Sequence, residues 1–230
     1  MPRALASLPR GVAVLVLDAL SGDDTADVAR SAGATVIQRK WIGFVNARLF
    51  ALAQVKTRWT LMLDADEALD EKLRASISNA EESAVGFALE RTTYFCEKPI
   101  RMWSGELLVR LFRTELAILK AQPALGGEAE LHERWSVAGK IGHLEGTLAH
   151  YSYPDVRAYA RKFNEYTSIE ARSSPRSWTQ FARQLLVVGP RFWWLLIARG
   201  ELLDGWRGWY VAYLSAIYPL VTATKALRRT

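Results

Sequence analysis

The strongest constraint on the fold is an alternation that fills residues 12–64. An apolar run of strand length, VAVLVLD (12–18), ends in Asp18 and is followed by a polar turn, SGDDT (21–25). Asp24 or Thr25 can cap a helix reading ADVARSAG, and Gly33 stops it. A second run, ATVIQ (34–38), precedes the loop KWIGF (40–44), the helical stretch VNARLFALAQVK (45–56) and a third run, TRWTLMLD (57–64). Strands separated by helices through short connections predict an α/β protein with a Rossmann-like, mostly parallel sheet flanked by helices. Ligands of such sheets bind at the carboxyl ends of the strands. Asp18 and Asp64 both fall at those ends.

The third run leads straight into acids: residues 61–67 read LMLDADE. Carboxylates this close repel unless a positive group lies between them. On an extended chain, residues two apart point to the same side, so Asp64 and Asp66 can converge on one hard cation. Oxygen ligands suit Mg²⁺ or Mn²⁺, which commonly bridge a protein carboxylate to substrate phosphates. The alternative is that Asp66 and Glu67 only cap a helix at 67–81 and favour its dipole. Asp18 has the same two readings: a ribose or base acceptor, or a residue that closes a turn.

The rest of the chain changes character twice. VGFALERTTYF (85–95), LLVRLFR (107–113) and the stretch around ELHERWSVAG (130–139) read as strands. From Pro154 the pattern is helical, with Val156, Tyr159, Phe163 and Tyr166 on one stripe. Two strongly apolar segments follow, 185–198 and 208–224, the second at the short limit for spanning a bilayer and interrupted by Pro219. These shifts predict a catalytic domain over 1–153, in halves 1–84 and 85–153, and a helical, amphipathic C-terminal appendage over 154–230. Charge follows the same division: from Arg157 onward there are twelve Lys/Arg against four Asp/Glu, while the first 156 residues lean acidic. Arginines interleaved with Trp193, Trp194, Trp206 and Trp209 suit an anionic membrane surface better than nucleic acid. One cysteine, Cys96, excludes a disulfide framework and a multi-cysteine zinc site. The first residues show no apolar core of a secretory signal.

VLVLDALSGDDTADVARSAGATVI and WIGFVNARLFALAQVKTRWTLMLDADEAL resemble the nucleotide-sugar half of family 2 inverting glycosyltransferases of the GT-A type. RLFR (110–113), LHERWSVAGKIGHLEGTLAHYSY (131–153), KFNEYTSIEA (162–171) and LLDGWRGWYVAYLSAIY (202–218) look like the branch related to lipopolysaccharide core β-1,4-glucosyltransferases. The resemblance implies transfer of a hexose from a UDP-sugar, with UDP-glucose favoured, to a lipid-linked or lipopolysaccharide-core saccharide. The expected location is the cytoplasmic face of the inner membrane, peripheral or monotopic. Carried onto this chain, it places the nucleoside on Asp18, with Asp24 or Asp23 as the turn acid. Asp64 contacts the ribose or the metal, Asp66 binds the divalent cation, and Arg48 lies near the donor phosphates. Glu133 is the candidate base; His150, His132 and Arg110 are candidate diphosphate or acceptor contacts. Two departures stand out: Leu49 occupies a position where Asn is common, and the family's first strand, whose Asn-Glu turn lines the uracil pocket, would precede residue 1. The alternative reading is a degenerate, non-catalytic membrane-associated scaffold. A nucleotidyltransferase would need a Gly-rich phosphate loop after the first strand, and none is present.

Overall fold

The computed structural model describes residues 1–80, 84–121 and 133–228, with the side chains of Ala121 and Glu133 excepted. The chain divides into two compact units. Among the described residues the first holds 1–92, 106–121 and 133–150, and the second holds 93–105 and 151–228.

In the first unit, α1 (Pro2–Ser7) precedes β1 (Leu15–Asp18), α2 (Thr25–Ser31) and β2 (Thr35–Gln38). Strands β1 and β2 pair in parallel, Leu15 with Thr35 through Asp18 with Gln38, as the strand–helix–strand pattern predicts. Gly33 ends α2 with φ 83°, a left-handed conformation that costs glycine little. Val16, Ala29 and Ala34 form the small core of this layer. Helix α3 (Phe44–Gln54) then leads to β3 (Trp59–Leu61).

Beyond β3 the pairing turns antiparallel. Strands β4 (Glu67–Leu69), β5 (Gly86–Phe95), β6 (Lys98–Arg113) and β9 (Ile141–Tyr153) join β3 in a five-stranded sheet ordered β3-β6-β5-β9-β4. Strand β3 runs antiparallel to β6 and β4 antiparallel to β9. A further antiparallel pair is made by β7 (Ala117–Ala121) and β8 (Glu133–Val137). Parallel pairing is thus seen at β1 and β2, which form a two-stranded sheet apart from the five-stranded one. One expectation is corrected: residues 67–69 do not open a helix. All three are buried and pair with β9. The helix that follows, α4 (Glu71–Ser78), is capped by Asp70, whose side chain accepts from the Leu73 amide at 2.7 Å. Leu69, Leu73, Phe87, Leu89, Leu111 and Leu148 pack the core between this helix and the sheet.

The second unit begins with the outer part of the β5–β6 hairpin. Its two-residue turn, Cys96 and Glu97, has φ of 49° and 60°, the geometry that lets strands of ordinary twist reverse direction. Helices α5 (Val156–Ser173), α6 (Trp178–Trp193) and α7 (Trp206–Arg228) follow. Asp155 caps α5 and Ser177 caps α6, each through its side-chain oxygen. Between α6 and α7 lie a π-helical turn (Trp194–Ala198) and a 3₁₀ turn (Glu201–Asp204). Phe95, Ile100, Tyr159 and Val211 form one core cluster. Leu195, Leu196, Ala212 and Ala216 form another. The second apolar segment read from sequence is thus the packing stripe of α7, which lies against α5 and α6. Among the described residues no helix is long and apolar enough to cross a membrane.

Candidate functional site

The acids of LMLDADE sit on a turn. After β3 the chain stays extended as far as Met62, whose amide donates to the Arg110 carbonyl at 2.8 Å. It then reverses: the Glu67 amide donates to the Asp64 carbonyl at 3.0 Å, and the Asp64 amide donates to Glu67 Oε2 at 3.0 Å. Both bonds close the same four residues, so the acids stand on a turn and not on the extended chain whose alternation was expected to bring Asp64 and Asp66 to one side. Side-chain exposure grades across the motif, from 0% at Glu67 to 33% at Asp64 and 41% at Asp66. A ligand in solution therefore meets Asp66 first and Glu67 not at all.

Arginines neutralise the two deeper acids. Arg48, from α3, donates to Asp64 Oδ1 at 2.8 Å. Arg110, from β6 and 4% exposed, donates to Asp64 Oδ2 at 3.0 Å and to Glu67 Oε1 at 2.7 Å. Burial alone would raise the Asp64 carboxyl, and Asp66 beside it adds to this. The guanidiniums of Arg110 and Arg48 outweigh both and hold it below the usual carboxylate range. Burial would likewise favour a neutral Arg110, but Glu67 and Asp64 reverse this and keep it charged. The alternation continues through Arg91, 3.6 Å from Glu67, to Glu106, and from Glu106 to Arg134 at 3.0 Å. Seven charged side chains of alternating sign thus run from α3 to β8. Arg110 is no solvated strand-edge residue: it lies beneath the acids and supports them.

Asp66 faces another way. Its Oδ2 lies 3.4 Å from Nε2 of His150, which sits on β9 opposite Glu67 in register. Among the described residues no three His, Cys, Asp or Glu side chains are grouped to hold a metal ion. Both Asp64 oxygens already accept from guanidiniums; Asp66 and His150, themselves 3.4 Å apart, carry oxygen and nitrogen atoms of the kinds that bind a cation. Two protein ligands fit Mg²⁺ or Mn²⁺ when substrate phosphates and water complete the shell.

Asp18 is 3% exposed at the end of β1. It accepts from the Ser21 amide at 3.2 and 3.3 Å and from Gln38 Nε2 at 2.9 Å. Bonds from Ser21 and Gln38 lower its pKa. Asp23 caps the adjoining turn by accepting from the Thr25 amide, and Asp24 is exposed beside it. Helix α3, which carries Arg48, packs against β1. Glu133 opens β8 and pairs through its backbone with Ala121. His132 and the Glu133 side chain lie outside the described residues. The neighbouring Arg134 is bound to Glu106.

The glycosyl transferase family 2 model matches residues 2–129, more than half of the chain. The chain belongs to glycosyl transferase family 2. Among its relatives is an uncharacterized glycosyltransferase of Rickettsia typhi, 27% identical over 194 residues, covering 80% of this chain and 66% of that protein. Another, from Rickettsia prowazekii, is 27% identical over 168 residues. It covers 69% of this chain and 58% of its own length, so the chain spans two thirds or less of these two relatives. The lipopolysaccharide core biosynthesis glycosyltransferase LpsC of Rhizobium meliloti is 26% identical over 238 residues, covering 99% of this chain and 87% of LpsC. The solved structure of S. aureus TarS 1-349 is 13% identical with a TM-score of 0.45, covering 98% of this chain and 84% of that one.

Within this family 2 chain, sequence reading missed Glu67 as a buried counter-ion, together with Arg91, Glu106 and Gln38. A usable signal was present. Arg91 and Arg110 each interrupt an apolar strand, and an arginine inside a buried strand needs a carboxylate partner.

Proposed function

We propose that this family 2 chain moves a hexose from a UDP-sugar, UDP-glucose favoured, to a lipid-linked or lipopolysaccharide-core saccharide at the cytoplasmic membrane face, with inversion. The observation that carries this reading is the graded acid turn. Two acids, Glu67 fully buried and Asp64 partly so, are locked to arginines, and a third, Asp66, is the most exposed and lies beside His150. That is an arrangement for holding a dication and diphosphate at the surface of a rigid, neutralised base. Mg²⁺ or Mn²⁺ bound by Asp66 and His150 would supply positive charge to the departing diphosphate. Of the two arginines on Asp64, Arg48 is the more exposed, 16% against 5%, and is the one assigned to the donor phosphates. Asp64 then orients Arg48 and the ribose side of the donor, and Asp18 with its turn forms the nucleoside end.

Inversion is a single displacement. The acceptor oxygen bonds to the anomeric carbon as the bond from that carbon to the phosphate oxygen breaks. The hydroxyl proton passes to a carboxylate, for which Glu133 is the candidate, and the electron pair leaves with UDP. The lipid-linked acceptor draws on the similarity to LpsC and on the cationic, aromatic second unit.

Calorimetric titration with UDP and UDP-glucose, with and without Mn²⁺, tests the proposal. Metal-dependent binding that is lost in Asp66→Ala is expected. If neither nucleotide binds and Asp66→Ala leaves transfer unchanged, the scaffold alternative takes its place.

A further inference from the structure

Helix α6 has two apolar faces. One carries Phe181, Val188 and Phe192 and is partly buried toward α7, with Leu195 and Leu196 continuing it. The other carries Trp178, Leu186, Trp193 and, in the π turn, Ile197. These are 74%, 78%, 53% and 67% exposed. Their spacings of eight, seven and four residues keep them on one helical stripe. Leu203 and Trp206, 73% and 55% exposed, extend the patch over the 3₁₀ turn and the start of α7. A helix packed on one side and facing water on the other would place polar residues along this stripe.

The charges around the stripe are of one sign. From Ala171 to Gly200 there are five arginines and no acid. Arg191 is turned inward, donating to the Ala216 carbonyl and to Gln184. Arg172, Arg176, Arg183 and Arg199 are exposed. From Ala171 to the last residue the only acids are Glu201 and Asp204, and both are withdrawn from this surface. Glu201 is fully buried and accepts from the Met102 amide at 2.6 Å. Asp204 accepts from the Arg101 amide at 2.9 Å and pairs with the Arg101 guanidinium at 3.3 Å.

We propose that the exposed face of α6 and its following turns lies in the interface of an anionic phospholipid bilayer. Leu186, Ile197 and the tryptophans enter the acyl boundary, and the exposed arginines sit at the phosphates. This deepens the reading of a membrane-borne acceptor and rests on it. The combination of charge and apolarity selects the occupant. Nucleic acid would match the arginines but offers no apolar phase for Leu186 and Ile197. A second copy of the chain would set cationic surface against cationic surface. A bilayer with acidic headgroups satisfies both properties, and an in-plane helix needs no spanning length.

Flotation of the whole chain with phosphatidylcholine vesicles, and with vesicles in which about a third of the lipid is phosphatidylglycerol, tests this. Binding to the anionic vesicles that weakens with salt is expected, with little binding to the neutral ones. The double variants Leu186→Ser/Ile197→Ser and Arg183→Glu/Arg199→Glu, checked for native circular dichroism, should each bind about tenfold more weakly or worse. Wild-type binding by either folded variant, or equal binding to both vesicle types, would overturn the proposal. So would a wild-type dimer that becomes monomeric in Leu186→Ser/Ile197→Ser. Asp66→Ala should float like wild type. Vesicle binding without any UDP-sugar binding would remove the transferase reading and leave the membrane face standing; UDP-sugar binding without vesicle binding would do the reverse.

Discussion

Glu67→Gln separates support from chemistry within four residues. Glu67 is fully buried, and its Oε1 lies 2.7 Å from Arg110 and 3.6 Å from Arg91. Its Oε2 also accepts the Asp64 amide at 3.0 Å. Glutamine keeps the shape and one acceptor but removes the charge, leaving Arg110 at 4% exposure with Asp64 as its remaining anion. Removing one partner of a buried pair costs about 3–5 kcal/mol, because the surviving charge stays desolvated. For a chain of this size each kcal/mol moves Tm by roughly 2–4 °C, so a fall of about 6–20 °C is expected. Thermal unfolding followed by circular dichroism reads it. Raising NaCl should leave most of the difference intact, since buried pairs are poorly screened. The same measurement on Asp66→Asn, an isosteric change at a half-exposed position, should show a loss under about 1 kcal/mol. A Tm fall of less than about 2 °C in Glu67→Gln, or an equal fall in both variants, would refute the account of the turn as a neutralised base.

Asp66→Ala should leave Tm close to wild type but reduce transfer at least about a hundredfold, measured as UDP release at saturating acceptor. Burial raises the Glu201 carboxyl to about 7, from an ordinary value of 4.5. The folded state therefore binds this proton more tightly than the unfolded state. Its stability contribution is full below about pH 4.5 and is lost as pH rises through about 7. Glu201→Gln, which keeps an acceptor for the Met102 amide, should flatten the Tm-versus-pH curve between those values and raise Tm at pH 8. A curve unchanged in shape would contradict this. A Cβ on Gly208 would stand 1.7 Å from the Glu201 carbonyl oxygen, so Gly208→Ala should cost about 1–3 kcal/mol or more in urea unfolding.

What the sequence disclosed depended on how local the cause was. The parallel β1–α2–β2 unit follows from apolar runs and turn residues that act within a few positions, and it was legible. The Asp-x-Asp motif was legible as a group of acids following a strand, but its geometry was not. Strand alternation was the natural assumption until the Asp64–Glu67 hydrogen bonds showed a turn. Residues 67–69 read as helix because Glu, Ala and Leu favour it. Tertiary burial opposite His150, Ala149 and Leu148 overrode that preference, and Asp70 moved the helix start downstream. The ion series from Arg48 to Arg134 joins residues up to 86 positions apart, which no local pattern encodes. The apolar segment at 208–224 was ambiguous between lipid and protein neighbours. Its small residues Gly208, Ala212, Ala216 and Ala223 decide for close helix packing.

The hydrogen bonds that hold Glu201 and Asp204 have a consequence for the order of events during synthesis. Met102 and Arg101 meet these acids at sequence separations of 99 and 103. The β5–β6 hairpin therefore emerges from the ribosome long before the acceptors for two of its amides exist. Until residue 204 appears, those amides are left to water, and Tyr210 and Val211 of α7, which share with Tyr159 the covering of Phe95, follow later still. A nascent chain halted before Glu201 should accordingly be cleaved by protease within residues 93–105, while one extended through Arg228, with α7 in place, should resist. Closure of the second unit is timed by its C-terminal segment, which also carries the cationic, tryptophan-rich face.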